Sequence, residues 1–329
     1  MSEKLFRVAL REAIDEEMER DGRVFLIGED IGHFGGAYRV TEGLLDKYGD
    51  MRVVDAPISE EAIVGSAIGA AMAGLHPVVE LMTVNFSLVA YDQIVQNAAK
   101  IRYMFGGQVS VPMVIRMPGG AGHQLSSQHS HSFEALYGMI PGLIVVAPTT
   151  PADAKGMLKA AIRSDNPVMF LESMSLYNSR GEVPDSDYLT PLGKSVVRRA
   201  GDDVTLVGVS RQAVNATLAA QQLEQESIDA EVIDLRSIRP IDWETLQKSV
   251  KKTGHLIVIE EGWTTYGVGA EIAAGLSERC FDYLDAPALR VGGAEVPMPY
   301  NQDLERASIP SVDQIVAAAR RSLGRKVAV

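Results

Sequence analysis

The sequence contains one cysteine, Cys280, among 329 residues. A single cysteine cannot form a disulfide within the chain, so the disulfide framework of small secreted proteins is excluded. No apolar run is long enough to span a bilayer, and the N-terminal residues lack the apolar core of a signal peptide. We therefore expect a soluble, intracellular protein, either cytoplasmic in a bacterium or inside an organelle.

Positive charge is also scarce. Lysine and arginine total 31 against 43 aspartates and glutamates, which gives a formal net charge of −12. Because no long basic run occurs, the electrostatic footprint needed to bind a nucleic-acid backbone is missing. We expect no nucleic-acid or membrane partner, and a basic protein partner suits this chain better.

What the sequence does contain is the composition of a globular protein, with 46% hydrophobic and 22% charged residues. Short apolar segments alternate with helical patterns, which predicts an α/β protein with two domains and mainly parallel sheets. The pattern fades between Asn178 and Pro191. We predict one domain over 1–180, a linker over 181–194 and a smaller domain over 195–329.

The predicted elements alternate along both halves of the chain. In the first half they are helix 4–20, strands 24–27 and 52–54, helix 60–73, strand 77–82, helix 87–101, strands 111–116 and 143–147, helix 151–163 and strand 167–172. In the second half they are strand 204–209, helix 211–224, strand 230–235, helix 242–251, strand 255–260, helix 268–279, strand 288–291 and helix 311–323.

The helix predicted over 60–73 is unusual. Ser59 is a candidate N-cap, Glu60 is in the first turn, and Gly74 follows the end. A capping role is the ordinary interpretation for a glutamate at this position. Gly65 and Gly69 each cost about 1 kcal/mol relative to alanine inside a helix. Close approach of another helix is the simplest compensation.

Several motifs occur together in a specific order: Pro-Ile-Ser-Glu before the glycine-containing helix, then Glu-Leu-Met-Thr-Val-Asn-Phe, then Gln-His-Ser, and Val-Pro-Met-Pro-Tyr near residue 300. In this order they resemble the beta subunit of the thiamine-diphosphate-dependent 2-oxo acid dehydrogenases, part of the E1 component of those complexes. The resemblance covers nearly the whole chain. It implies a transketolase-type pyrimidine-binding domain followed by a transketolase-type C-terminal domain.

The resemblance implies roles for individual residues. Glu60 would share a proton with ring nitrogen N1′ of thiamine diphosphate, and an apolar pocket would assist by disfavouring its charged form. Ile58, Met82 and Phe86 would line the pocket around the aminopyrimidine ring. Ordinary core packing is an alternative role for Met82 and Phe86, and the two roles are compatible.

The family's diphosphate and magnesium signature, Gly-Asp-Gly followed by an asparagine, does not occur in this sequence. We therefore expect an alpha subunit to hold the Mg²⁺ and the diphosphate. By resemblance, backbone carbonyls of Ala161, Ile162 and Asn166 would hold a structural potassium ion. Turn formation alone would also explain the Asp-Asn-Pro sequence there.

His123, His129 and His131 lie in one loop rich in glycine and serine. A metal site is one interpretation, but no nearby cysteine or carboxylate completes a ligand set. His129 matches the family's Gln-His-Ser motif, which the resemblance links to proton transfer and reductive acylation. His131 stands where the family commonly has glutamine. We prefer His129 and keep His131 as the alternative.

A second glycine motif, Gly267-Val-Gly269, does not complete a dinucleotide-binding fingerprint, because Ile272 occupies the place of the third glycine. Opening of a helix is the simpler interpretation of these two glycines.

As a function, the resemblance implies decarboxylation of a 2-oxo acid and acyl transfer to a lipoyl-bearing E2 enzyme, within an α2β2 heterotetramer. Acidic residues of the second domain, including Asp285 and Glu295, would suit a basic domain of E2. Phe-Glu-Ala-Leu-Tyr-Gly and Val-Pro-Met-Pro-Tyr look more like the branch that acts on pyruvate. The alternatives are branched-chain 2-oxo acids, acetoin, or a non-catalytic assembly subunit.

Overall fold

The structure is a computed structural model that describes residues 1–325. These residues divide into two compact units. The first unit comprises Met1–Gly119 and Leu136–Leu192, and the second comprises Gly120–Ala135 with the described residues from Gly193 onward. Among the described residues, no helix combines the length and the apolar character needed to cross a bilayer.

The first unit contains a parallel sheet of six strands in the order β6-β7-β5-β4-β2-β3, and a separate antiparallel pair, β1 with β8. The strands are β1 (Ser2–Leu5), β2 (Val24–Gly28), β3 (Val53–Asp55), β4 (His76–Glu80), β5 (Val114–Gly119), β6 (Ile144–Val146), β7 (Val168–Ser173) and β8 (Arg180–Val183). The helices are α1 (Phe6–Arg20), α2 (Leu44–Tyr48), α3 (Glu60–Met72), α4 (Ile101–Met104), α5 (Glu134–Gly138), which begins at the end of the second unit's loop, and α6 (Pro151–Ile162).

The second unit contains a five-stranded sheet in the order β14-β13-β10-β11-β9, parallel except for β9. The strands of the second unit, in chain order, are β9 (Val196–Arg199), β10 (Val204–Gly208), β11 (Ala230–Asp234), β12 (Ser237–Arg239), β13 (Leu256–Trp263) and β14 (Leu289–Gly293). The short strand β12 is not part of the five-stranded sheet. Its helices are α7 (Arg211–Glu224), α8 (Trp243–Thr253), α9 (Val268–Cys280), α10 (Gln302–Ser308) and α11 (Val312–Ser322). The predicted α/β class with mainly parallel sheets is confirmed.

The core of the first unit follows from the pattern of α1. Phe6, Leu10, Ile14 and Met18 recur every four residues on this helix, and all four are buried. They pack in one cluster with buried side chains of the strands and of α6. Because the strands are covered, they consist of nearly continuous apolar residues.

The regular helix predicted over 87–101 is wrong. The chain forms a 3-10 helix over Val84–Leu88, a π-helix over Gln93–Ala98 and then the short helix α4. Side chains compete for backbone groups where this segment begins: the Thr83 hydroxyl accepts from the N–H of Asn85, and the Ser87 hydroxyl donates to the carbonyl of Val84. Such local bonds disfavour a continuous α-helix.

Gly267 and Gly269 open α9, as the sequence indicated: Gly267 is the N-cap residue and Gly269 lies in the first turn. The buried Glu260 carboxylate accepts hydrogen bonds from the N–H groups of Val268 at 2.8 Å and Gly269 at 2.9 Å. A Cβ at Gly267 or Gly269 would lie 2.4 or 2.7 Å from Glu260 Oε1. The protein's own carboxylate thus fills the helix N-terminus at which a dinucleotide phosphate would bind.

A buried ion triad joins three strands of the first unit. On β5, the Arg116 guanidinium donates two hydrogen bonds of 2.8 Å to Glu172 on β7 and one to Glu80 on β4. The Tyr177 hydroxyl donates to Glu172 at 2.6 Å. Burial raises the pKa of Glu80, while the charge of Arg116 opposes that shift. The positive charge of Arg116 offsets the free-energy cost of burying the negative charges of Glu80 and Glu172.

We expect Arg116→Leu to lower the free energy of unfolding by about 3 to 5 kcal/mol, because two buried carboxylates lose their counterion. Arg180→Leu is the control, since Arg180 is 61% exposed and its nitrogen lies 3.4 Å from Glu3. That exposed pair should contribute at most about 1 kcal/mol. Urea denaturation of the purified chain measures both changes, and similar small losses would show that the triad does not hold the sheet together.

Candidate active site

The candidate site lies at the carboxyl edge of the first unit's sheet. Strands β4, β2 and β3 are parallel neighbours, and their register places Gly28 beside both Asp55 and Glu80. Glu29 follows β2 directly, and Glu60 opens the helix after β3. The carboxyl edge of a parallel sheet is where α/β proteins bind their ligands.

Glu60 is buried, with 8% of its surface exposed, whereas its neighbour Glu61 is exposed. Ser59 is the N-cap residue of α3, as predicted, although its side chain makes no capping hydrogen bond. Burial raises the pKa of Glu29, and the charges of Asp30 and Glu60 raise it further. Glu29 and Glu60 therefore lie close enough to interact electrostatically.

A glycine-containing loop is held beside these carboxylates. The Asp55 carboxylate accepts hydrogen bonds from the N–H groups of Gly32 at 2.6 Å and His33 at 3.1 Å. A Cβ at Gly32 would lie 2.6 Å from Asp55 Oδ2, so a larger residue there would displace the Asp55 carboxylate from these hydrogen bonds. Glu29 and Asp55 were not among the site residues predicted from the sequence. Their positions just after two predicted strands could have indicated them, since ligands bind at the carboxyl ends of parallel strands.

The three apolar residues expected to contact a pyrimidine ring are all in the first unit. Ile58, two residues before Glu60, is 75% exposed. Met82 follows β4, Phe86 lies in the 3-10 helix over Val84–Leu88, and both are half-buried. Ile58 thus gives exposed apolar surface two residues from a buried carboxylate, a combination that suits a flat heteroaromatic ring with a basic nitrogen.

Within residues 1–325, no group of three or more histidine, cysteine, aspartate or glutamate side chains is placed to hold a metal ion.

The two interior glycines of α3 have different surroundings. A Cβ at Gly65 would contact the Gln93 side chain at 3.5 Å, so Gly65 packs against the unit's own π-helix. A Cβ at Gly69 would meet nothing within 4 Å. Ala62 and Ser66 on this helix are also exposed. Packing within the chain therefore explains the glycine at Gly65, but it does not explain the small-residue surface formed by Ala62, Ser66 and Gly69.

The histidine loop, residues 120–135, belongs to the second unit. His123 is exposed, while His129 and His131 are half-buried. The His131 ring stacks on Phe133 with centroids 4.7 Å apart and meets the edge of Trp263 at 5.8 Å. Burial lowers the pKa of His131. These contacts give His131 an aromatic packing role.

The residues matched to a potassium loop lie away from Glu60. Ala161 and Ile162 end α6, and Asn166 precedes β7, so all three are at the amino edge of the parallel sheet. His76 Nδ1 lies 3.3 Å from the carbonyl oxygen of Ile162. Arg102 donates a 2.9 Å hydrogen bond to the side-chain oxygen of Asn166. This region is structurally separate from the carboxyl edge.

Comparison with known families also divides the chain between residues 180 and 193, although residues 120–135, which cluster with the second unit, lie within the first family match. Residues 3–180 match the family described as "Transketolase, pyrimidine binding domain", and residues 193–315 match "Transketolase, C-terminal domain". A solved structure described as a split gene transketolase, inactive beta4 tetramer, is similar with a TM-score of 0.81. It is 24% identical and the match covers 98% of this chain and 99% of that one, so it shows the fold alone.

Similarity to characterised sequences extends over nearly the full chain. The beta subunit of the mitochondrial pyruvate dehydrogenase E1 component of Dictyostelium discoideum is 50% identical over 319 residues, which cover 96% of this chain and 90% of that protein. The corresponding Bos taurus subunit is 50% identical over 322 residues, with coverage of 96% and 90%. The subunit from Rhizobium meliloti is 49% identical over 321 residues, with coverage of 97% and 70%.

Proposed function

The chain belongs to the family of pyruvate dehydrogenase E1 beta subunits, and we propose that it carries the pyrimidine-binding half of an active site that decarboxylates pyruvate. The acetyl group then passes to a lipoyl-bearing E2 enzyme, which leads to acetyl-CoA. The observation that carries this proposal is the buried Glu60 at the carboxyl edge of a parallel sheet. The names of the relatives favour pyruvate over branched-chain 2-oxo acids and acetoin.

Thiamine diphosphate supplies the carbanion chemistry when it is bound. Glu60, which is buried at the start of α3, would exchange a proton with ring nitrogen N1′. Ile58, Met82 and Phe86 contact the pyrimidine ring. The alpha subunit would hold the Mg²⁺ and the diphosphate, because the family's Gly-Asp-Gly signature with its following asparagine does not occur in this sequence.

His129 serves the transfer of the acetyl group to the lipoyl arm. An imidazole suits a step that moves a proton near neutral pH. His131 is the weaker candidate, because its ring is occupied in the aromatic stack with Phe133 and Trp263. Packing in that stack, which steadies the loop, is the role that its contacts favour.

The carbonyls of Ala161, Ile162 and Asn166 form a site for K⁺. The Ala161 carbonyl already accepts from the N–H of Ser164 at 3.1 Å, and the Ile162 carbonyl lies 3.3 Å from His76 Nδ1, but a carbonyl oxygen has a second lone pair that a cation can use. Their position at the amino edge of the sheet favours a structural role over a catalytic one.

The working assembly is an α2β2 heterotetramer, located in the cytoplasm of a bacterium or inside an organelle. The open surface around Gly69 on α3 suits contact with another chain. Asp285 and Glu295 are exposed on the second unit and suit a basic domain of E2. That electrostatic contact weakens with added salt.

A non-catalytic assembly subunit is the competing function, since the exposed small-residue surface of α3 would serve it equally well. The two functions differ in what they require of Glu60. Assembly needs only the helix that Glu60 opens, whereas catalysis needs its carboxyl group.

We expect Glu60→Gln to lower pyruvate turnover by at least about a hundredfold, or about 3 kcal/mol of transition-state stabilisation, because an amide cannot exchange the proton. The variant is assayed after reconstitution with the alpha subunit. Glu61→Gln is the control, because Glu61 is adjacent, exposed and of equal charge. Near-normal turnover by a fully assembled Glu60→Gln complex would contradict the catalytic role.

We expect Gly69→Leu to weaken association with the alpha subunit about ten- to a hundredfold, because a large side chain overpacks a close interface. The isolated chain should remain stable, since leucine favours a helix more than glycine does and the added Cβ meets nothing within 4 Å. Gly22→Leu, at an exposed glycine with similarly open surroundings, is the control. Sedimentation of mixed chains measures the change, and unchanged affinity would place the interface elsewhere.

A further inference from the structure

The histidine loop has a strained backbone. Gly120 and Gly122 have φ values of +85° and +114°, and two non-glycine residues, Gln124 and Ser126, have φ values of +53° and +68°. Each left-handed non-glycine residue costs on the order of 1 kcal/mol or more. A loop of this shape persists only where other contacts hold it.

One of those contacts comes from Glu305 on α10, which is distant in sequence. Glu305 Oε1 accepts hydrogen bonds from the backbone N–H groups of Gly122 at 3.0 Å and Gln124 at 3.1 Å. Its Oε2 accepts from Gln124 Nε2 at 3.0 Å. Glu305 is only 2% exposed. A single buried carboxylate therefore binds the strained part of the loop through three donors.

The charge state of Glu305 suits this arrangement. Burial alone would raise the pKa of Glu305, but the hydrogen bonds from Gln124 and Gly122, with the nearby His123, bring it below the usual value. The group is consequently an ionised acceptor at neutral pH, and charge-assisted hydrogen bonds of this kind are stronger than neutral ones.

A second carboxylate closes the base of the loop. Glu261 at the end of β13 accepts from the N–H of Ala121 at 2.6 Å, and the Ser132 hydroxyl lies 3.4 Å from the same oxygen. The N–H of Gly120 donates to the carbonyl of His131 at 2.8 Å. With the base closed, the contacts of Glu305 act on Gly122 and Gln124, which begin the segment that leads to His129, and the N–H of His129 lies 3.4 Å from the carbonyl of Ser126.

We propose that Glu305 is a positioning residue for the histidine loop, and that it sets the placement of His129 through Gly122 and Gln124. The inference rests on the proposed role of His129 in acetyl transfer. Glu305 acts through the loop and not on the reacting atoms. A displaced imidazole slows a proton-transfer step steeply, because geometry errors near 1 Å can cost about a hundredfold in rate.

The first measurement follows His129 directly, without any assay of activity. The full chain is labelled with ¹³C at histidine Cε1, and its six histidines give few resonances to assign. We expect Glu305→Gln to shift the His129 resonance, because the amide replaces one acceptor oxygen with a donor and disturbs the loop. Gln124→Ala, which removes the side-chain donor and leaves Glu305 intact, should shift the same resonance by less.

Asp303→Asn is the matched control. Asp303 also lies on α10, and its substitution removes one negative charge, as Glu305→Gln does. The Asp303 side chain, however, is 86% exposed, and its ion pair with Arg306 spans 3.6 Å. This variant should leave the His129 resonance unchanged. An equal shift in Asp303→Asn would overturn the inference, since the effect would then come from charge or from α10 in general.

The second measurement is acetyl transfer to lipoamide by the complex reconstituted with the alpha subunit. We expect Glu305→Gln to slow this transfer about ten- to a hundredfold while decarboxylation with an artificial electron acceptor stays within about twofold. His129→Ala is the reference, with an equal or larger loss in transfer. Thermal unfolding of each variant verifies that the chain is folded.

The outcomes separate the two proposals. If Glu305→Gln and Gln124→Ala leave the His129 resonance and the transfer rate at wild-type values, the positioning role of Glu305 is wrong. If His129→Ala transfers normally, the proposed role of His129 is wrong, and the resonance shift still decides whether Glu305 places the loop. A shifted resonance together with a transfer loss in Glu305→Gln and in His129→Ala, but not in Asp303→Asn, supports the inference.

Discussion

The Arg116 guanidinium is the constraint on which the first unit depends. It is fully buried and neutralises Glu80 and Glu172 on the strands at either side. Glu80 is level with Gly28 in the register of β4 and β2, so the triad also fixes the sheet edge from which the site segments leave. Without the guanidinium, two carboxylates would be buried unpaired, which a marginally stable fold does not tolerate.

Buried carboxylates shape the second unit as well, but there they bind backbone N–H groups. Glu260 fills the N-terminus of α9, while Glu261 and Glu305 hold the histidine loop. The proposed division of labour follows from how the two units use their acids. The first unit carries Glu60 at the start of α3. The second unit carries His129 in a loop whose backbone N–H groups are bound by Glu261 and Glu305. In the proposed assembly, the alpha subunit would supply the metal and diphosphate contacts.

The α/β class, most elements and the position of Glu60 were predictable because apolar periodicity and glycine placement are local signals. The irregular helices over 84–98 were not, because they arise from hydroxyl groups that bond to the backbone. The hydrogen bonds from the histidine loop to Glu305 could not be predicted from local sequence, because donor and acceptor are about 180 residues apart in the chain. The different surroundings of Gly65 and Gly69 likewise depend on tertiary packing.

The central claim is that the Glu60 carboxyl group bonds to ring nitrogen N1′ of thiamine diphosphate. It is tested most directly by ¹⁵N NMR of cofactor labelled at N1′ and bound to the complex with the alpha subunit. In the wild-type complex, the N1′ resonance should lie where a protonated or strongly hydrogen-bonded ring nitrogen is found. In Glu60→Ala it should move to the position of the unprotonated ring. The same resonance position in both complexes would contradict the account.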